Sequence, residues 1–227
     1  MVKRLALVML ALSWPSAADA VDFSGEAGLV SDYRFRGISL SDGRPAAQFS
    51  LNAEHDSGFY VGTWGSTIKD PEAGLDVELD LYAGFEWALS DNFALDLSAT
   101  YYAYPSDWDS NYVEATAVAR LSRGNAAAGL GFSFVPKQSG IRDEFGRQRN
   151  GYVFAEASYE VPDTPLKLSS TIGYERGYFD EVEGGGKWDW MVGGEIAISH
   201  VRAGVAYVGT DAAGHDGCLV ASLFLDF

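Results

Sequence analysis

The chain has 227 residues, 16 of them basic and 32 acidic, for a net charge of −16, with 47% hydrophobic and 14% aromatic residues and one cysteine. So acidic a chain repels nucleic acid and anionic lipid headgroups, and one this rich in aromatics is not an acidic disordered tail. With Cys218 alone there is no intramolecular disulfide; it reads as a small residue near a strand start.

Lys3-Arg4, an apolar run from Leu5 to Trp14 and then Ala18-Asp19-Ala20 have the layout of a secretory signal. The run is too short to cross a bilayer as a helix. Residues 1–20 are therefore expected to be removed, leaving 21–227 as one domain with 14 basic and 31 acidic residues. No later stretch reaches 18 apolar residues, which excludes insertion through helices.

From Val21 the hydrophobic pattern has period two. Strand one is expected over 22–35, with Phe23, Ala27, Leu29 and Tyr33 opposite Glu26, Asp32 and Arg34. Strand two covers 45–54, and strand three 59–68, where Trp64 shares a face with Tyr60 and leaves the polarity ambiguous. Strand four alternates most cleanly: Leu75, Val77, Leu79, Leu81, Ala83, Phe85 and Trp87 lie opposite Asp76, Glu78, Asp80, Tyr82, Gly84 and Glu86. Further strands follow at 93–101, 112–121, 126–135, 151–161, 166–176, 188–199 and 201–210. The last, Cys218–Phe227, places Leu219, Ala221, Leu223, Leu225 and Phe227 on one face. So apolar a strand makes a poor edge for a soluble protein.

The connections sort by parity. Those near 55–58, 88–91, 122–125, 162–165 and 199–200 are short, and those at 36–44, 69–74, 102–111, 136–150, 177–187 and 211–217 are longer. Twelve strands, short turns at one end and long loops at the other describe an outer-membrane barrel, with strands of about ten residues for its apolar band. The expected fold is thus all-β: a transmembrane antiparallel β-barrel of about 12 strands following a cleaved signal peptide.

The final strand resembles the closing strand of bacterial outer-membrane barrels, and that resemblance makes Phe227 the signal read by the barrel assembly machinery. Two further stretches carry a more specific likeness: Ser31-Asp-Tyr-Arg-Phe-Arg-Gly-Ile-Ser-Leu-Ser-Asp-Gly-Arg-Pro-Ala-Ala-Gln48 and Gly58-Phe-Tyr-Val-Gly-Thr-Trp-Gly-Ser66. Together they resemble the opening of the TorF-type porins, also known as the Gcw_chp family of proteobacterial outer-membrane proteins. The resemblance implies a porin in the outer membrane of a Gram-negative bacterium, and it brings no catalytic or ligand residues. Read physically, the motif is a loop. Gly37 and Asp42-Gly43 supply positive-φ positions, Ser39 and Ser41 bond nearby backbone, and Arg34 and Arg36 beside Asp32 and Asp42 can fasten it to the rim.

In a membrane barrel the polar face lines the lumen. The expected lumen acids include Asp76, Glu78, Asp80, Glu86, Asp96, Glu114 and Glu195, with Arg34, Arg120 and Arg202 among the few bases. Carboxylates outnumbering their partners are costly in a dry interior. The sequence therefore favours a hydrated, cation-preferring passage over an Arg–carboxylate network that narrows or closes the barrel.

Enzymatic chemistry finds no support. His55, His200 and His215 fall in turns and a loop, no metal or phosphate motif occurs, and Gly184-Gly-Gly186 reads as a plain loop. The acidic groups Asp70/Glu72, Asp107/Asp109 and Asp180/Glu181/Glu183 lack calcium-loop spacing. The expected protein is not an enzyme and needs no cofactor. Its partners are outer-membrane lipid, the assembly machinery and small polar or cationic solutes, with no nucleic acid, and it acts as a monomer. The alternative is a closed structural or surface-interaction barrel displaying long extracellular loops, with 136–150 and its Lys137, Arg142, Arg147 and Arg149 as adhesive or inward-folding candidate. A soluble periplasmic barrel is the third reading.

Overall fold

A computed structural model describes residues 20–70, 75–180 and 185–227. The segment expected to be a signal (but for Ala20), and Glu72, Glu181 and Glu183 of the acidic groups, lie outside these residues. Twelve antiparallel strands close into one barrel: β1 (Val21–Val30), β2 (Ala46–His55), β3 (Phe59–Asp70), β4 (Leu75–Ser90), β5 (Phe93–Ala103), β6 (Tyr112–Arg123), β7 (Ala126–Val135), β8 (Asn150–Glu160), β9 (Leu166–Gly177), β10 (Lys187–Ile198), β11 (Val201–Thr210) and β12 (Cys218–Asp226). Each strand pairs with its neighbours in sequence, and β1 meets β12 in a register running from Glu26 opposite Asp226 to Val30 opposite Ser222. Closure leaves no unpaired edge, which is what a sheet in lipid requires.

The alternation read from sequence sets the two faces. Phe23, Leu29, Leu81, Leu130, Val192 and Leu219 point outward and are exposed, Phe23 by 80% and Leu219 by 69%. An apolar belt of this extent far exceeds what a soluble surface carries and suits a hydrocarbon layer. On the inward face of β3 stand Trp64, Ser66 and Ile68, the last two buried, which resolves the ambiguous polarity of that strand.

The first strand departs from expectation. It ends at Val30, not at residue 35, because the chain from Ser31 exchanges ladder bonds for side-chain ones. Asp32 accepts from Ser39 Oγ at 2.5 Å, Ser41 Oγ at 3.0 Å and Arg34 Nε at 2.6 Å, while Ser41 Oγ accepts from Tyr33 N. Residues 31–45 thus form a loop longer than the expected 36–44, with a miniature hairpin pairing Arg34–Phe35 with Ile38–Ser39. Arg34 and Tyr33 consequently sit in this loop and not on a barrel strand, and Tyr33 is buried inside, away from the outward face expected for it with Phe23 and Leu29. Elsewhere the strands run a few residues longer than the pattern suggested, β4 to Ser90 and β6 to Arg123, and the turns between them tighten accordingly.

The apolar core is not spread along the lumen. It gathers at the long-loop end, where Val30, Tyr33, Ala46 and Ile68 form one buried cluster and Tyr102, Tyr112, Val135 and Ile141 another. Phe35 of the loop packs against both. The loop is therefore the keystone of the interior.

Candidate functional site

The miniature hairpin crosses the lumen. Its Tyr33 ring lies 5.2 Å from Trp64 of β3, Phe35 lies 6.1 Å from Tyr102 of β5, and the Arg36 guanidinium stands 4.1 Å from the ring of Tyr152 on β8. Contacts to walls on opposite sides are possible only from inside. Gly37 at the tip has φ of 84°, and a Cβ there would fall 2.6 Å from Thr210 Cβ of β11, so both backbone and space demand glycine. Arg36 itself takes φ of 48°, an uncommon conformation for a residue with a Cβ. The hairpin base is tied to β3 by Lys69 N donating to Leu40 O, and Arg34 donates to the carbonyls of Gly37 and Asp216.

Arg36 is the clamp. Its Nη2 donates to both oxygens of Glu114 on β6 at 2.8 Å, and its Nη1 to Glu175 Oε1 on β9 at 2.6 Å. Glu175, fully buried, also accepts from Asn150 Nδ2 and pairs with Lys187 Nζ, each at 2.8 Å. Burial opposes the charge on Arg36, but Glu114 and Glu175 outweigh it and hold the guanidinium protonated more firmly than usual. For Asp32, burial raises the carboxyl's proton affinity, yet bonds from Ser39, Arg34 and Ser41 prevail and leave it below its ordinary range.

The expected lumen residues divide between two levels. At the long-loop end, Asp76 is exposed at the mouth, 3.6 Å from Lys69 Nζ, whereas Glu78, Asp80 and Glu114 are buried in the layer around the hairpin. Toward the short-turn end the interior opens into two cavities of about 280 and 310 Å³ that share Arg120. Arg120 stands within 3.4–3.9 Å of Glu156, Glu86 and Asp96, and Tyr60 donates to Asp96 at 2.8 Å. Nearer the turns, Arg202 bridges Glu26, Glu195 and Asp226, the last two at 2.9 Å. Phe227 exchanges two backbone hydrogen bonds with Gly25, extending the β1–β12 seam. Arg34, foreseen as a lumen base, instead serves inside the loop beside Asp32.

Sequence reasoning named Arg36 as a fastener of the loop but paired it with Asp32 and Asp42 and not with Glu114 and Glu175, and it missed Lys187 and Asn150, which it placed in a loop and at a loop end. A signal was present. Tyr33, Phe35, Ile38 and Leu40 are too apolar for a solvated loop and had to be buried somewhere. The loop expected at 136–150, weighed as adhesive or as an inward constriction, does not fold inward at its tip: it pairs Arg142–Asp143 with Gly146–Arg147 in an exposed hairpin, with Phe145 at 84% exposure.

A closed 12-stranded barrel with an apolar exterior, an ionised interior and its first long loop folded inside has the fold of the outer-membrane porins. Solved structures share it, among them three porins and channels. The KdgM porin is 7% identical over 91% of this chain and 98% of its own, with a TM-score of 0.62, and is also known in complex with a disordered oligogalacturonate. The NanC porin is 9% identical over 90% and 98%, with a TM-score of 0.60. The COG4313 outer membrane channel from Pseudomonas putida F1 is 11% identical over 97% and 99%, with a TM-score of 0.55. At such identities the likeness is one of fold. By sequence, no curated protein matches. The family model described as "Bacterial protein of unknown function (Gcw_chp)" matches residues 15–218, and the chain belongs to that family.

Proposed function

We propose that this protein is an outer-membrane channel for small polar solutes that favours cations and is gated by its own first loop. The observation that carries the reading is the position of the 31–45 hairpin, clamped across the lumen by Arg36 above cavities lined by ionised side chains. A barrel with a purely structural role has no need of charged cavities behind a plug held by one buried side chain. With the hairpin in place the loop end is closed, since Glu114, Glu175, Tyr102, Tyr112 and Lys187 around it are almost without solvent exposure. Conduction requires the hairpin to withdraw toward the extracellular side, where the long loops of such barrels lie.

The cation preference rests on charge. Glu54, Glu86, Asp96 and Glu156 border the cavities against Arg120 and Lys167. A polyanion such as the oligogalacturonate known with KdgM would be repelled by that field, whereas a small cation or zwitterion is drawn into it. The protein does no chemistry on its solute, and its partners are the lipid around it and the machinery that inserts it.

The test is recording in planar bilayers under a KCl gradient, joined to swelling of liposomes in small neutral and charged solutes. Discrete openings with a reversal potential on the cation side, and faster swelling with cationic than with anionic solutes of one size, are expected. Anion preference would remove the charge argument. Silence of both the intact protein and a variant lacking residues 33–41 would favour a closed barrel that works through its exposed loops.

A further inference from the structure

The layer around the hairpin is not electrically balanced by the described residues. Among the described residues, five inward carboxylates stand there, Glu78, Asp80, Glu114, Glu175 and Asp189, against two cations, Arg36 and Lys187. Both cations are committed to Glu114 and Glu175, and Asp189 takes a hydrogen bond from Tyr152 at 2.9 Å. Glu78 and Asp80 remain. They are 1% and 8% exposed, and among the described residues neither forms an ion pair. One oxygen of each, Glu78 Oε2 and Asp80 Oδ1, is buried without any hydrogen-bond partner, as is Asp189 Oδ2, but Asp189 is held through its other oxygen by Tyr152, whereas among the described residues neither Glu78 nor Asp80 has an ion pair. A buried carboxylate left so costs several kcal/mol on the order of the ionic desolvation penalty, and a chain does not bury two side by side without something to offset them.

We propose that Glu78 and Asp80 bind a monovalent inorganic cation behind the hairpin, as a station on the cation path of the proposed channel. Their placement fits the role. The two residues share the inward face of β4, roughly 7 Å apart along the strand, so one ion between them meets oxygen from both. Trp64 and the hydroxyl-bearing Tyr33 and Tyr104 pack beside them, offering ring faces and further oxygen. A divalent ion is the poorer fit. Calcium takes six to eight oxygens and magnesium gives up water reluctantly, and no group of three or more metal-ligating side chains occurs among the described residues. A large monovalent ion carries half the charge and sheds its water more readily. On the same face, Asp76 stands exposed at the mouth one step outward, and Glu86, opposite Asp96 across the β4–β5 ladder, borders the inner cavity. The stripe therefore leads from the loop end to the cavities, interrupted by Tyr82 and Gly84.

This inference rests on the channel reading, and the experiment separates the two. Crystals of the full barrel grown in rubidium or thallous salt are read for anomalous scattering. A peak between Glu78 and Asp80 in the wild type, lost in the E78Q/D80N double variant, is expected. Because the variant can fail to fold, a second measurement uses the wild type alone: thermal unfolding in potassium or rubidium chloride against equimolar tetramethylammonium chloride, with a higher midpoint expected in the inorganic salts. An empty site together with equal midpoints overturns the inference. So does an infrared band of protonated carboxyl that disappears in E78Q/D80N, which makes protons the occupants. A peak in a barrel that never conducts would keep the ion site and remove the channel, and a cation-selective channel with no peak would do the reverse.

Discussion

The two ends of the lumen are built from the same residue types and treat them in opposite ways. At the turn end, Arg120 and Arg202 each face three carboxylates, all of them partly exposed except Asp96, and cavities remain between them. At the loop end, Arg36 and Lys187 are almost wholly buried, their carboxylates likewise, and aromatic rings fill the gaps. An ion pair open to water contributes little, and one sealed from it is costly to break because the survivor is stranded. The difference teaches where this barrel keeps its rigidity. In the proposed channel the turn end sets the field, and the loop end sets whether anything passes.

Substitutions can break that contrast. The largest effect is expected from Lys187→Met, which leaves Glu175 Oε2 without its cation in a site without solvent, while Arg36 and Asn150 hold only Oε1. Unfolding in urea should show a loss of about 3–5 kcal/mol, against under about 1 kcal/mol for Arg120→Gln at the turn end. Equal losses at the two ends would erase the distinction. Next comes Gly37→Ala. The added Cβ has no room beside Thr210 and the backbone is left-handed, so the tip must retreat. Faster labelling of a cysteine placed at Phe35 by a polar reagent would register the withdrawal, and unchanged labelling would show that the tip tolerates the methyl group.

Smaller effects sharpen the comparison. Arg120→Gln removes the base shared by both cavities, so the reversal potential should move further to the cation side with the fold intact. A move toward anions would contradict the field assigned to that end. The smallest expected effect is that of acid. Asp32 holds its proton less readily in the folded loop than in the unfolded chain, so its contribution is complete above the ordinary carboxylate range and fades as pH falls through it. Loop labelling should accordingly rise only below about pH 4, and Asp32→Asn should abolish that rise.

Much of this architecture was legible in the chain. The alternation in β4, the apolar β12 and the parity of the connections named a 12-stranded barrel, because lipid on one side and polar groups on the other leave strands no freedom of register. What the pattern could not carry was the path of residues 31–45. Period two is as well satisfied by Tyr33, Phe35 and Ile38-Leu40 folded inward as by a longer first strand. The choice is made by Ser39 and Ser41 reaching Asp32, a three-dimensional arrangement of side chains. With the loop misplaced, Arg36 and Lys187 were absent from the charge count, and the few bases weighed against the lumen acids did not include the two that bury most deeply. The charge excess itself persists at Glu78 and Asp80.

In the proposed channel one buried arginine keeps the lumen shut. The direct test compares single-channel recordings of the wild type and Arg36→Ala in the same bilayer and salt. Losing the clamp to Glu114 and Glu175 removes on the order of 3 kcal/mol from the closed state, enough to shift the open-to-closed ratio roughly a hundredfold. Rare or small openings in the wild type and sustained larger ones in a well-folded Arg36→Ala barrel are the predicted result. Indistinguishable traces from the two, whether both open or both silent, would contradict it.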